Sequence, residues 1–264
     1  MSEERQSSAP LYDRALLLHG SKRNEVLTLE EVEQYGRDSF GDPHYVSIYG
    51  LRPREWYARG IRILGRTGVE CTRDVLADRI GQDIAAEIAQ LAPQPRVLAI
   101  DPFAGSCNTL HWILKHVPRT EGLAFELDPQ VFKLTRQNLA LLHRPIELLH
   151  GHYLSLLQGR PLPSDRPLLF FIAPPWGMAL DEQKGLDLRR TAPPVTEIVA
   201  SLSARHPAQP LLFAVQVYER LDPASVAAVE ALVDRARVHL YSFNATGRNH
   251  GILIGTRRWP PCSP

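Results

Sequence analysis

From Val97 onward the chain alternates apolar runs of strand length with stretches of helical period, and this alternation limits the possible folds more than any other feature. The runs are Val97 to Ile100, Gly122 to Glu126, Ile146 to Leu149, Leu168 to Ile172, Leu211 to Val217, Val238 to Phe243 and Ile252 to Thr256. Helical patterns fall between them at Thr109 to Lys115, Gln130 to Leu142, Val195 to Ala204 and Ala224 to Arg235. Strands that are apolar at successive positions, rather than at every second one, are buried on both faces. The expected fold class is therefore α/β, with a mostly parallel sheet covered by helices on either side. Only the short polar stretch Asn244 to Asn249 joins the last two runs, which suits a terminal antiparallel hairpin.

Upstream the pattern changes. Thr72 is expected to cap an amphipathic helix over about Val69 to Leu91, with Val75, Leu76, Ile80, Ile84 and Ile88 on one stripe. Residues 1–68 offer only short apolar clusters broken by Gly41, Pro43, Gly50 and Pro53, with short helices expected at Leu27 to Tyr35 and Arg54 to Leu64. The predicted organisation is a small, mainly helical N-terminal appendage over 1–68 and a main domain over 69–264, in keeping with 264 residues at roughly 100–200 per domain. Tyr12, Tyr35, Tyr45, Tyr49, Trp56 and Tyr57 enrich the appendage in aromatics, as either a lid over a site or a small aromatic core requires.

Charge bears on the partner. Residues 1–70 carry ten Lys/Arg against eleven Asp/Glu and the remainder 20 against 18, so neither part is the basic module that gripping a phosphate backbone demands. Arg59, Arg62 and Arg66 would share a helical face if that segment were continuous, with Arg52 and Arg54 just before it. Cys71, Cys107 and Cys262 lack the spacing of a zinc site or a disulfide framework. The N-terminus lacks the apolar core of a secretory signal, and no run approaches 18 apolar residues. The expectation is a cytoplasmic protein without membrane, metal or nucleic-acid partner, acting on a small molecule; oligomeric state is not readable.

In an open α/β sheet ligands sit beyond the carboxyl ends of the strands, which singles out three turns. The first run ends in Asp101-Pro102-Phe103-Ala104-Gly105-Ser106-Cys107-Asn108-Thr109, where Gly105 permits a tight turn and close backbone approach to a ligand. The second run ends at Glu126, 21 residues beyond Gly105, placed to accept from both hydroxyls of a ribose. Together these point to a cofactor containing adenosine, and the lack of GxGxxG argues against a nicotinamide one. The fourth run ends in Ala173-Pro174-Pro175-Trp176-Gly177, a rigid turn followed by a flat aromatic surface that suits an acceptor amine.

With these elements in order, the sequence resembles the class I methyltransferase fold, Rossmann-like and binding S-adenosyl-L-methionine. Within that fold it is most similar to the trimethylguanosine synthase family, whose fourth-strand motif reads S-P-P-W-G-G. The likeness includes Val69 to Asp74 and Leu186 to Arg189 and covers about residues 55 to 258. It implies that Asp101, Gly105 and Asn108 hold the methionine end of the cofactor and Glu126 its ribose. Phe125 or Leu127 would cover the adenine face. Thr72, Phe103, Thr109 and Ala173 would belong to the same cofactor site, and Pro174, Pro175 and Trp176, with Asn108, would serve the transfer.

The sequence departs from that family in three places. The motif's leading polar residue is replaced by Ala173; the Gly-Asp after the third strand is Gly151-His152, which leaves His152 for the adenine edge; and the basic tracts of an RNA enzyme are missing. The resemblance implies an enzyme dependent on S-adenosylmethionine. The expected acceptor is a small amine of specialised metabolism. Three alternatives stay open: cyclisation of the cofactor's own aminobutyrate chain to azetidine-2-carboxylate with release of methylthioadenosine, methylation of a cap-like guanine, and a non-catalytic cofactor-binding or RNA-scaffold subunit.

Overall fold

The computed structural model describes residues 11–91, 95–181, 183–243 and 250–259. The first ten residues, the expected turn at 244–249 and Cys262 lie outside this set. Five helices come first: α1 (Arg14–Leu18), α2 (Leu29–Phe40), α3 (Pro53–Ala58), α4 (Gly65–Glu70) and α5 (Asp74–Ile88). Then follow β1 (Val97–Asp101), α6 (Asn108–His116), β2 (Thr120–Glu126), α7 (Pro129–Leu141), β3 (Ile146–His150), α8 (Tyr153–Gln158) and β4 (Leu168–Ile172). A short ribbon of β5 (Leu180–Asp181) and β6 (Gly185–Leu186) precedes α9 (Val195–Arg205), β7 (Leu211–Tyr218), α10 (Pro223–Glu230), β8 (Arg235–Tyr241) and β9 (His250–Arg257).

Seven strands form one sheet in the order β3-β2-β1-β4-β7-β9-β8. The first five are parallel, and β9 runs antiparallel to both β7 and β8. The sheet is Rossmann-like and mostly parallel, with a terminal antiparallel hairpin, as the pattern of apolar runs leads one to expect. The chain winds from β1 outward through β2 to β3, then returns to the other side of β1 at β4. The topological switch therefore lies between β1 and β4, and in open α/β sheets ligands bind beyond the carboxyl ends of the strands at such a point. Every residue of β1, β4 and β7 is buried, as their unbroken apolar runs require.

One face of the sheet packs Ala99, Phe171, Leu212 and Ala214 against α5 and α6 through Leu76, Ile80, Leu110 and Ile113. The other packs Ile100, Phe170, Phe213 and Val215 against α9 through Ile198, Val199 and Leu202. Helices α5 and α6 meet closely because Gly81 lacks a side chain. A Cβ there would lie 2.9 Å from the Trp112 carbonyl oxygen.

The N-terminal region builds a third core around Leu17, Val32, Tyr35, Ile48, Tyr49 and Trp56. Trp56 is fully buried and donates its indole N–H to the Val46 carbonyl at 3.0 Å. Of the two roles open to these aromatics, Tyr35, Tyr49 and Trp56 therefore take that of a core. Helix α2 starts at a reciprocal cap, with Thr28 Oγ1 accepting from Glu31 N at 3.2 Å and Glu31 Oε2 from Thr28 N at 2.8 Å. It runs on to Phe40, beyond the expected end at Tyr35, and the boundary expected at residue 68 falls inside α4.

Several expectations need correction. Thr72 does not cap a helix: α5 begins at Asp74 after Arg73, and the Thr72 hydroxyl instead donates to Gln216. The helix expected over Arg54 to Leu64 ends at Ala58 and a separate helix starts at Gly65, so Arg59, Arg62 and Arg66 share no helical face. Arg62 lies over the Tyr57 ring at 3.6 Å, and Arg66 pairs with Asp128 at 2.6 Å. Helix α10 stops at Glu230, which frees Arg235 to start β8 three residues before the expected Val238. No helix among the described residues is long and apolar enough to cross a membrane.

Candidate functional site

At the ends of β1 and β2 the backbone and one carboxylate close on each other. Strand register sets Asp101 beside Ala124, so the turn after β1 comes up against Glu126. Gly105 N donates to Glu126 Oε2 at 2.8 Å, and Asp128 N donates to Glu126 Oε1 at 2.8 Å. A carboxylate offers about four acceptor sites, so two remain for a ligand. Gly105 sits at φ +49°, and a Cβ there would meet nothing nearer than the Phe103 carbonyl oxygen at 4.0 Å. The turn therefore faces open space, and its carbonyl is fixed from behind by Thr135 Oγ1 of α7 at 2.7 Å.

Asp101 is buried beneath the turn, with Oδ1 accepting from Phe103 N at 3.0 Å. Burial pushes its carboxyl up to about 7; the Phe103 N–H holds it back, and the Glu126 charge adds to the rise. The Glu126 carboxyl is itself raised by burial against the pull of its two N–H donors. A raised folded value means that the folded protein binds the proton more tightly than the unfolded chain, whose value is near 3.8. The stability contributed by Asp101 is thus present below about pH 4 and lost as pH rises through about 7. Asp101→Asn keeps an oxygen for Phe103 N and removes the charge. Its melting temperature relative to the unsubstituted protein is expected to climb between about pH 4 and pH 8. A constant offset across that range in differential scanning calorimetry would show that Asp101 ionises normally.

The Asn108 side chain is held by three hydrogen bonds within the protein. Its Nδ2 donates to the Thr72 carbonyl at 2.7 Å and to Asp74 Oδ1 at 3.1 Å, while Oδ1 accepts from Tyr49 N at 2.6 Å. Both amide hydrogens are spent within the protein, so the side chain ties the N-terminal region to α6. The Tyr49 hydroxyl adds a bond to the Ser106 carbonyl. Thr109 is buried in the first turn of α6, and Thr72, whose carbonyl accepts from Asn108, sets its hydroxyl on Gln216 Oε1 at 2.8 Å.

Phe103 and His152 come from different turns and are linked by Tyr153, which the sequence reading did not single out. The Tyr153 ring lies 5.5 Å from Phe103 and 5.1 Å from His152, nearly parallel to the latter. His152 is exposed at the N-cap position of α8 and makes no side-chain capping bond. Leu127 projects beside Glu126 with 64% of its surface exposed.

The turn after β4 forms the opposite wall. Pro174 is buried, Pro175 is exposed, and Trp176 is half-buried against Tyr218 of β7 and His250 of β9, at 6.2 and 5.4 Å. Ala173 packs against the α5 face of the core. Met178, 86% exposed, leaves this end open to solvent. The predicted residues thus fall into two groups, Asp101 to Thr109 with Glu126, Leu127 and His152 in one and Ala173 to Trp176 in the other, and Thr72 bonds to Asn108 of the first and to Gln216 of β7.

No protein-family model matches the sequence, and a search of curated proteins finds no match either. Solved structures do resemble it. A precorrin-6y C5,15-methyltransferase from Geobacter metallireducens is 13% identical with a TM-score of 0.47, over 71% of this chain and 90% of that one. An rRNA methylase from Streptococcus thermophilus is 16% identical with a TM-score of 0.44, over 71% and 99%. The METTL16 methyltransferase domain is 13% identical with a TM-score of 0.49, over 69% and 66%. At such identities the fold assignment rests on this chain's own strand order and register.

Proposed function

We propose that this protein is an S-adenosylmethionine-dependent transferase acting on a small amine. The bridge from Gly105 N to Glu126 Oε2 carries the reading, because it sets an open glycine turn and an acceptor-rich carboxylate side by side at the carboxyl ends of β1 and β2, next to the topological switch. These residues suit an adenosine. Glu126 has acceptor sites left for two ribose hydroxyls, Leu127 offers an apolar face to adenine, and His152 stands at the adenine edge. The bare turn at Gly105 lets the methionine end approach the backbone above Asp101. When bound, the cofactor supplies an electrophilic methyl on a sulfonium, so the protein is left to align, desolvate and accept a proton.

In this reading Asn108 is a positioning residue, holding the first turn of α6 and the segment carrying Thr72 and Tyr49 in one frame. Pro174, Pro175 and Trp176 face the acceptor, with Trp176 braced edge-on by Tyr218. A small acceptor is supported by the charge pattern. Arg54 pairs with Glu33, Arg66 with Asp128, Arg160 with Glu147, and Arg189 with Asp187 and Asp222. Arginines bound to carboxylates form a poor track for phosphates.

A thermal shift with S-adenosylmethionine followed by mass spectrometry of the products tests the proposal. Stabilisation is expected, with S-adenosylhomocysteine appearing only when a small amine is added. Methylthioadenosine formed without any acceptor would replace methyl transfer by cyclisation. Turnover on capped RNA with salt-sensitive binding would restore the guanine alternative.

A further inference from the structure

Strand β7 reads Leu-Leu-Phe-Ala-Val-Gln-Val-Tyr, all buried, and Gln216 is the one amide in it. An apolar residue would serve the core better at that point, since a buried amide must find partners to recover its lost hydration. The placement of Gln216 is specific. Strands β4 and β7 pair in parallel with Phe171 opposite Ala214 and Ile172 opposite Val215. Carrying that register one residue on sets Gln216 beside Ala173, and strand alternation puts both on the α5 face. Gln216 Oε1 accepts from the Thr72 hydroxyl at 2.8 Å, so the amide is held by the segment that leads into α5 and keeps a second lone pair on its oxygen.

Ala173 is the position that cannot orient an acceptor. We propose that Gln216 supplies this function from the neighbouring strand: its Oε1 accepts an N–H of the acceptor amine, and Thr72 is the positioning residue that fixes the amide. The inference rests on the transferase reading and names its specificity-determining residue. With one N–H held by Gln216, the amine's lone pair is directed at the methyl carbon. The N–C bond forms as the C–S bond breaks, the electron pair leaves on sulfur as S-adenosylhomocysteine, and the surplus N–H proton passes to water, since a neutral amide takes none. Primary and secondary amines carry the required N–H. Hydroxyl acceptors spend their only hydrogen on the same bond.

Sinefungin tests this without knowledge of the acceptor. It carries a primary amine on carbon at the place of the methylsulfonium, so its ammonium probes for an acceptor oxygen where the transferred methyl would lie. Isothermal titration is expected to show sinefungin binding roughly tenfold or more tightly than S-adenosylhomocysteine. Gln216→Leu should bring that ratio to about one while S-adenosylhomocysteine affinity holds within about twofold. Gln216→Glu should restore the preference, and Thr72→Val should reduce it in part. Gln216→Leu with an unchanged ratio, or with both ligands weakened in parallel, would overturn the assignment alone. A protein that binds neither ligand would overturn the cofactor reading and this inference with it.

Discussion

Asp74→Ala is expected to be the most destabilising single substitution near the site. Asp74 is buried at the first position of α5, where it accepts from Trp112 Nε1 at 2.6 Å, Asn108 Nδ2 at 3.1 Å and Gly50 N at 2.9 Å. These donors come from α6 and from the N-terminal region, so one carboxylate joins three parts of the molecule. Burial raises its pKa against the pull of the same donors. Each donor left buried without an acceptor costs about 1–3 kcal/mol. After crediting the desolvation that alanine avoids, the net loss is about 3–5 kcal/mol. At roughly 2–4 °C per kcal/mol for a chain of this size, melting should fall by about 10 °C. Asp74→Asn keeps one acceptor oxygen and should fall between. A variant melting within about 2 °C of the unsubstituted protein would show that water replaces the carboxylate at little cost. Because Asn108 keeps only the Thr72 carbonyl as an acceptor in Asp74→Ala, affinity for S-adenosylmethionine should weaken as well.

The same cluster shows what could be read from sequence. Continuous apolar runs made the strands of the sheet legible, and Leu168 to Ile172 coincides with β4 end to end. Turn chemistry made the strand ends legible: Gly105 and Glu126, 21 residues apart in the chain, are hydrogen-bonded in space. The terminal hairpin followed from its short polar connection. Short elements escaped because their signals are weak. Helix α8 spans six residues, and the β5–β6 ribbon pairs two residues with two, too little for any period to emerge.

Tertiary partners escaped for another reason. Thr72 looks like a helix cap because threonine before an apolar stripe usually is one, yet its hydroxyl reaches Gln216, 144 residues on. Asn108, at the end of the turn after β1, reads from sequence as a ligand contact, and the bonds of its amide to Thr72, Asp74 and Tyr49 had no signal there. Gln216 gave one signal, an amide in an otherwise apolar strand, which acquires meaning only beside Ala173.

Glu126→Ala should separate binding from folding. Its two bonds, to Gly105 N and Asp128 N, lie at the mouth of the crevice where water can take over as acceptor, and removing its charge also relieves the buried Asp101. Stability of the ligand-free protein should therefore change little, by less than about 1 kcal/mol. Affinity is expected to drop sharply, because two ribose hydroxyls lose a charged acceptor together: about 1.5–3 kcal/mol, or ten- to hundredfold. Glu126→Gln should lose part of that, since its amide NH2 cannot accept from Gly105 N and turns a donor toward the turn. Calorimetry with S-adenosylmethionine, S-adenosylhomocysteine and adenosine should show the same factor for all three, as each carries the ribose. A loss confined to the two amino-acid-bearing ligands would place Glu126 at the methionine end instead. Unchanged affinity for all three would remove it from the site.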